Sequence, residues 1–181
     1  PLVESLLMPS LNVRGIRSGD VGRETRNVIP ATAAASLEMR LVKGNDPEAM
    51  LDLVEAHLVR QGATIVRDDP DSATRVTHPL VIKVIRQSGY PAVRTPMDDP
   101  IVGRLQDAAE RASGEKVVML PTLGGSLPLY LFTENWNKPL VIVPIANHDD
   151  EQHAPNENLR IANLWYGIDL YALIFSMPDR S

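Results

Sequence analysis

The chain has 181 residues, 44% of them hydrophobic but only 4% aromatic, with a formal net charge of −5 and a pI near 5.3. That length suits one ordinary domain or two small ones with an aliphatic core, and the lack of a basic cluster argues against nucleic acid as a partner. The chain has no cysteine, which removes disulfides, thiolate metal sites and a cysteine nucleophile and leaves the redox compartment undecided, and no apolar run reaches the roughly 18 residues of a membrane span. It opens on Pro1 and not on methionine, so the lack of a signal peptide says nothing about targeting.

Residues 1–9 read as the close of a helix or as a connector. Leu11 to Ile16 alternates apolar and polar, the period of a half-buried strand, and Ser18-Gly19-Asp20-Val21-Gly22 is turn chemistry. From Ala33 to Val42 the alternation puts Ala35, Leu37, Met39 and Leu41 on one side and Ser36, Glu38 and Arg40 on a solvated or ligand-facing side. Asp46-Pro47 is an N-cap followed by a first helical position; Met50, Val54, His57 and Leu58 recur at helical spacing, and Gly62 stops the helix. Ala63 to Arg67 and Pro79 to Ile85 read as strands, with a polar loop from Asp68 to Thr74. Strands flanking a helix in this order predict an open sheet with a helix on one face, the α+β pattern.

Ser88 to Pro100 is rich in glycine and proline and reads as a domain crossover, dividing the chain into residues 1–88 and 89–181. Asp99-Pro100 opens a helix with Ile101, Leu105, Ala108, Ala109 and Ala112 as its apolar stripe and Gly114 at its end. Lys116 to Leu120 reads as a buried strand, Gly124 to Pro128 as a tight loop opening a helix through Asn135, and Leu140 to Ile145 as a central strand. A last helix is predicted from about Glu157 to Phe175, with Ile161, Leu164, Trp165, Ile168, Tyr171, Ala172 and Phe175 at helical spacing. Alternating helices and strands make this half α/β.

The densest chemistry lies between that strand and that helix. His148 to Glu157 holds two histidines and four carboxylates, at the carboxyl end of a strand, where α/β proteins place ligands. His153 there suits a metal ligand, a general base or a surface loop contact, and a lone histidine falls short of the three protein ligands that zinc requires. Glu157 either orients His153 or favours the start of the following helix through its dipole. The small-residue loop Gly124-Gly125-Ser126 either receives an anion on its backbone N–H groups or is a turn that needs glycine. Arg40 offers a bidentate clamp for a carboxylate or is a solvated strand arginine. Asn27 either bonds a ligand or shapes a turn.

Several short motifs tie these residues together. They are Asn27-Val28-Ile29-Pro30, Glu38-Met39-Arg40-Leu41-Val42, Asp46-Pro47-Glu48, Gly124-Gly125-Ser126-Leu127-Pro128 and His153-Ala154-Pro155-Asn156-Glu157. In that order and spacing the chain resembles the C-terminal part of the dinuclear-zinc exopeptidases, the family of carnosinases, aminoacylases, desuccinylases and glutamate carboxypeptidases, and within it the carnosinase-like dipeptidases. The resemblance implies an α/β chain: a partial α+β lid or dimerisation domain over residues 1–88, then the C-terminal segment of an α/β catalytic domain over 89–181. It implies His153 as the last metal-binding histidine, Gly125 and Ser126 as a loop contacting substrate, Arg40 as the lid arginine that holds the substrate's carboxylate, and Asn27 as a lid position contacting substrate, where carnosinases tend to carry threonine. It implies two Zn²⁺ ions in the complete site, with Mn²⁺ as an alternative, a small peptide or acylated amino acid as substrate, and a homodimer formed through the lid, whose residues often serve the partner's active site.

In such enzymes two metal ions share a water and lower its pKa while a glutamate takes its proton. The family's first metal histidine, bridging aspartate, general-base glutamate and remaining acidic ligands have no match in this sequence. The expectation is therefore a fragment of a metal-dependent dipeptidase, with no catalytic residue of its own and inactive alone. One rival is a dimerisation or binding module without catalysis. Another is a small hydrolase using Ser126, which would need a base within hydrogen-bond reach and lacks the nucleophile-elbow context.

Overall fold

The computed structural model describes residues 2–178; Pro1 and residues 179–181 lie outside it. The chain is a mixed helix–strand protein whose elements run in the order α1 (Leu2–Leu6), β1 (Ser10–Ser18), β2 (Ala33–Arg40), α2 (Pro47–Arg60), β3 (Thr64–Val66), α3 (Ser72–Thr77), β4 (Val81–Lys83), α4 (Pro100–Ser113), α5 (Tyr130–Trp136) and α6 (Ile161–Phe175). By packing it divides into two units. One holds the residues up to Val93 together with Gly124–Tyr130; the other holds Arg94–Leu123 and the residues from Leu131 on.

In the first unit, β1 and β2 form an antiparallel ribbon. Leu11 pairs with Met39, Val13 with Leu37 and Ile16 with Ala35, so one face of the ribbon is apolar. Strict alternation from Leu11 and Val13 would put Gly15 and Arg17 on that face. A bulge between Val13 and Gly15 shifts the count by one and brings Ile16 back to it. On the other face Ser10 pairs with Arg40 and Asn12 with Glu38. Asp46 caps α2 through its carboxylate, which accepts the Ala49 N–H at 2.8 Å. An apolar cavity of about 360 Å³ is lined by Leu11 and Met39 of the ribbon and by Met50, Leu53, Val54 and His57 of α2.

Among the described residues the strands form two two-stranded sheets, not the one open sheet predicted: β3 pairs with β4 in parallel, separately from the ribbon. The predicted loop from Asp68 also winds into α3, because the Asp71 carboxylate accepts the Thr74 N–H at 2.7 Å and starts a helical turn. A charged network fastens α2 to the segments after β3 and β4. Glu55 accepts both Arg67 terminal nitrogens at 2.7 Å and Arg86 Nε at 2.6 Å. Arg86 also reaches Asp52 at 2.6 Å and Glu48 at 3.2 Å. These acids recur along one face of the helix. Both arginines pull the Glu55 carboxyl down from 4.5 to about 2, Arg67 most strongly.

The second unit is built around α4 packed on α6. Asp99 caps α4 by accepting the Ile101 N–H at 3.0 Å, and Gly114 ends it in the left-handed region at φ 74°. Ala108, Ala109 and the fully buried Leu170 form the core, with Val143, Ile145, Tyr166 and Ile174 against it. Gly167 admits Ile145: a Cβ there would stand 3.0 Å from its Cδ1. The residues read at helical spacing along α6 all lie within the helix. Ile161, Leu164, Trp165, Ile168, Tyr171, Ala172 and Phe175 are all exposed, and Gly167, Leu170, Leu173 and Ile174 turn inward. The helix is apolar on both faces, so periodicity alone does not choose between them. It also begins at Ile161 and not at Glu157.

Residues 116–120 and 140–145, predicted as strands, form no strand and join no ladder among the described residues. A strand is defined by its hydrogen-bonded neighbour, and here side chains do part of that work. The Thr95 hydroxyl donates to the Leu140 carbonyl at 2.6 Å and accepts the Leu140 N–H at 2.9 Å.

Candidate functional site

The polar face of the ribbon ends at Arg40. Its Nη1 donates to Ser126 Oγ at 2.6 Å across 86 residues of sequence. Its Nη2 lies 3.1 Å from Glu38 Oε1. The first contact fixes one edge of the guanidinium, the second fixes another, and the side chain remains 43% exposed. The guanidinium is thus held by two side chains while staying open to solvent. The fold thus brings Arg40 and the loop of Gly125 and Ser126 together within one unit.

That loop is not the first turn of a helix, since α5 begins only at Tyr130. Tyr130 stacks on Tyr90 with ring centroids 5.7 Å apart, which anchors the loop's far end to the same unit. A Cβ added at Gly124 or Gly125 would meet nothing within 4 Å, and neither residue takes a positive φ. The turn does not require glycine, and its backbone is open to approach.

Asn27 lies exposed in the loop that leaves the ribbon at its Ser18–Ala33 end. Arg40 stands at the opposite end, paired with Ser10. At about 3.4 Å per residue the two ends of β2 are roughly 24 Å apart.

His153 sits in the exposed loop between residues 147 and 160 of the second unit, at φ 65°. Glu151 at φ 55° and Asn156 at φ 70° share the left-handed region. The Ala154 N–H bonds the Glu151 carbonyl and the Asn158 N–H bonds the Asp150 carbonyl, each at 2.9 Å. Asn147, only 7% exposed, holds the base of the loop. Its Oδ1 accepts the Arg160 N–H at 3.0 Å and its Nδ2 donates to Asp149 Oδ1 at 2.9 Å. The Arg160 guanidinium pairs with the other Asp149 oxygen. The Asn147 amide, then Arg160, hold the Asp149 carboxyl below its usual range. Sequence reasoning passed over Asn147, and its one signal is a polar residue ending an apolar run. Glu157 lies ahead of α6 and outside its first turn.

Among the described residues no three histidine, aspartate or glutamate side chains lie close enough to hold a metal ion. The donors among the described residues do not by themselves fit a dinuclear metal site.

The class follows from the fold and from comparison with known proteins. Residues 4–65 match the family model described as the peptidase dimerisation domain. The chain is 25% identical over 159 residues to the Cys-Gly metallodipeptidase of Candida albicans, covering 86% of this chain and 30% of that protein. It is 25% identical over 168 residues to the β-Ala-His dipeptidase of Homo sapiens, covering 92% of this chain and 31% of that protein. Among solved structures, an M20 family metallo-carboxypeptidase from Sulfolobus solfataricus matches with a TM-score of 0.69 at 23% identity, over 94% of this chain and 36% of that one. The fold is that of the M20 peptidases, α/β overall with a dimerisation-domain region. More narrowly, the chain is similar to the C-terminal part of the M20 metallodipeptidases, and it spans about a third of the length of the relatives it matches.

Proposed function

We propose that this chain is the C-terminal portion of a metal-dependent dipeptidase that hydrolyses a peptide or amide bond next to a free carboxylate. The carrying observation is the contact between Arg40 Nη1 and Ser126 Oγ at 2.6 Å. It joins two motif residues from distant parts of the sequence into one exposed feature beside the Arg40–Glu38 ion pair. Arg40 binds the substrate's carboxylate, Ser126 orients the guanidinium and adds a hydroxyl contact, and the open backbone at Gly125 lets the substrate lie against the loop. Holding the free carboxylate is what restricts cleavage to a chain end. His153 contributes one donor to a metal centre, with zinc as the expected ion and manganese as the alternative, whose other donors lie outside this chain's described residues. The chain by itself is inactive on this reading.

The matched dimerisation domain supports a homodimer formed through the first unit. The length of β2 then gives Asn27 a role: with Arg40 at the other end of the ribbon, Asn27 serves the partner's active site. The test uses the full-length protein. Arg40→Ala raises KM by about 10-fold or more for substrates with a free carboxylate and leaves amidated analogues nearly unchanged, since a charge-assisted pair is worth about 1.5–3 kcal/mol. His153→Ala lowers both bound metal and peptidase activity. An unchanged substrate profile in the first variant, or intact metal content and activity in the second, sinks the corresponding assignment.

A further inference from the structure

We propose that Asn147 is a positioning residue that closes the loop carrying His153 and sets where that imidazole is presented. The proposal rests on the reading of His153 as a metal ligand, but its geometry is independent of any metal. Asn147 is buried and uses both ends of its amide. Oδ1 accepts the Arg160 N–H at 3.0 Å, thirteen residues along the chain, and Nδ2 donates to Asp149 at 2.9 Å. The loop's two ends are therefore joined through one side chain. Asn163 Nδ2 donates to the Ile145 carbonyl at 2.9 Å and fastens the same ends a second time.

A loop so closed can sustain backbone that an open one would relax. Three of its non-glycine residues, Glu151, His153 and Asn156, lie at φ between 55° and 70°. Such conformations persist where the surroundings over-determine them. His153 is itself one of the three, so the direction of its side chain depends on the closure. The chemistry selects an amide. Alanine leaves the Arg160 N–H and the Asp149 carboxylate without their partner. Aspartate keeps the acceptor but sets a second carboxylate against Asp149. Outer partners of a metal-binding histidine's support commonly change metal affinity 10- to 100-fold when removed.

The experiment compares N147A, N147D and N147D/D149N in the full-length protein. The double variant exchanges donor and acceptor between the two positions and so restores the bond. Zn²⁺ affinity is measured by competition with a chelating dye. The metal-free protein is followed by amide hydrogen exchange at Ala154 and Asn158 and by the His153 imidazole resonances. N147A and N147D are expected to weaken Zn²⁺ binding about 10-fold or more, to speed exchange at both amides and to move the His153 resonances, with recovery of all three in N147D/D149N. Unchanged exchange and unchanged His153 resonances in N147A overturn the proposal, as does a lower melting temperature with Zn²⁺ affinity intact. If His153→Ala alone leaves Zn²⁺ affinity unchanged, the ligand reading fails, and the exchange and resonance data still decide whether Asn147 closes the loop.

Discussion

Replacing Glu55 by glutamine removes the charge that ties α2 to Arg67 and Arg86 while keeping the shape of the side chain. The carboxylate accepts a two-pronged contact from Arg67 and a third hydrogen bond from Arg86, and it is 13% exposed. The fall of its pKa from 4.5 to about 2 corresponds to a ceiling of about 3 kcal/mol. Arg67 is 55% exposed, so solvent screens much of this, and about 1–2 kcal/mol is expected from Glu55→Gln at neutral pH. Because the folded pKa is depressed, this contribution is complete above the unfolded value near 4.5 and is lost as pH falls through about 2. The assay must look at the first unit itself. Both tryptophans, Trp136 and Trp165, lie in the second, so fluorescence would not see the change. Hydrogen exchange of the α2 amides does, and Glu55→Gln should speed it about 5- to 30-fold at pH 7, leaving α4 and α6 unaffected. Equal α2 protection in the two proteins at neutral pH would refute the reasoning. So would a stability difference, followed by circular dichroism, that persists undiminished at pH 2.

Two further substitutions test the second unit, where tryptophan fluorescence is the natural probe. Asp99→Ala removes the acceptor of the Ile101 N–H, and the unfolding free energy should drop by about 1 kcal/mol, read as a lower urea midpoint with an unchanged slope. Gly167→Leu drives a side chain into Ile145, already 3.0 Å from a bare Cβ, and should cost about 2 kcal/mol in the same assay; a neutral result would mean that α6 shifts freely on the Ile145 segment.

The parts of this fold that were legible in the sequence are those whose signals are local. Asp46 and Asp99 each precede a proline, and both cap the helices that follow. Gly114 adopts the left-handed conformation that a helix end demands. Arg40, Glu38 and Ser36 alternate against Leu37 and Met39, and the ribbon keeps them on separate faces. What was not legible depends on partners far along the chain. Residues 116–120 and 140–145 have strand composition, but strands are made by neighbours. The buried face of α6 is chosen by Ala108, Ala109 and Ile145, not by its own pattern. The contact of Arg40 with Ser126 has no trace in spacing or periodicity, and only the order of motifs pointed to both. Glu55 and Arg86 look like ordinary solvated charges until α2 and the segment after β4 lie side by side.

The candidate residues are prepared by two different physical devices, and the difference bears on how each tolerates change. Arg40 is a long, flexible side chain on a regular strand, and it gains its orientation from side-chain partners, Glu38 and Ser126. Loss of either partner leaves the backbone in place and frees the guanidinium to explore its rotamers, so the consequence falls on how firmly the guanidinium is oriented. His153 is short and stands on an irregular loop at φ 65°. On the proposal made for Asn147, loss of the closure displaces the residue itself. A strand can present an arginine to a ligand that varies from one substrate to the next, whereas a donor to a metal ion must stand within a few tenths of an ångström of one place. On the proposed reading, the strand arginine held by side chains suits a substrate-binding part, and the closed loop suits a part whose ligand does not change.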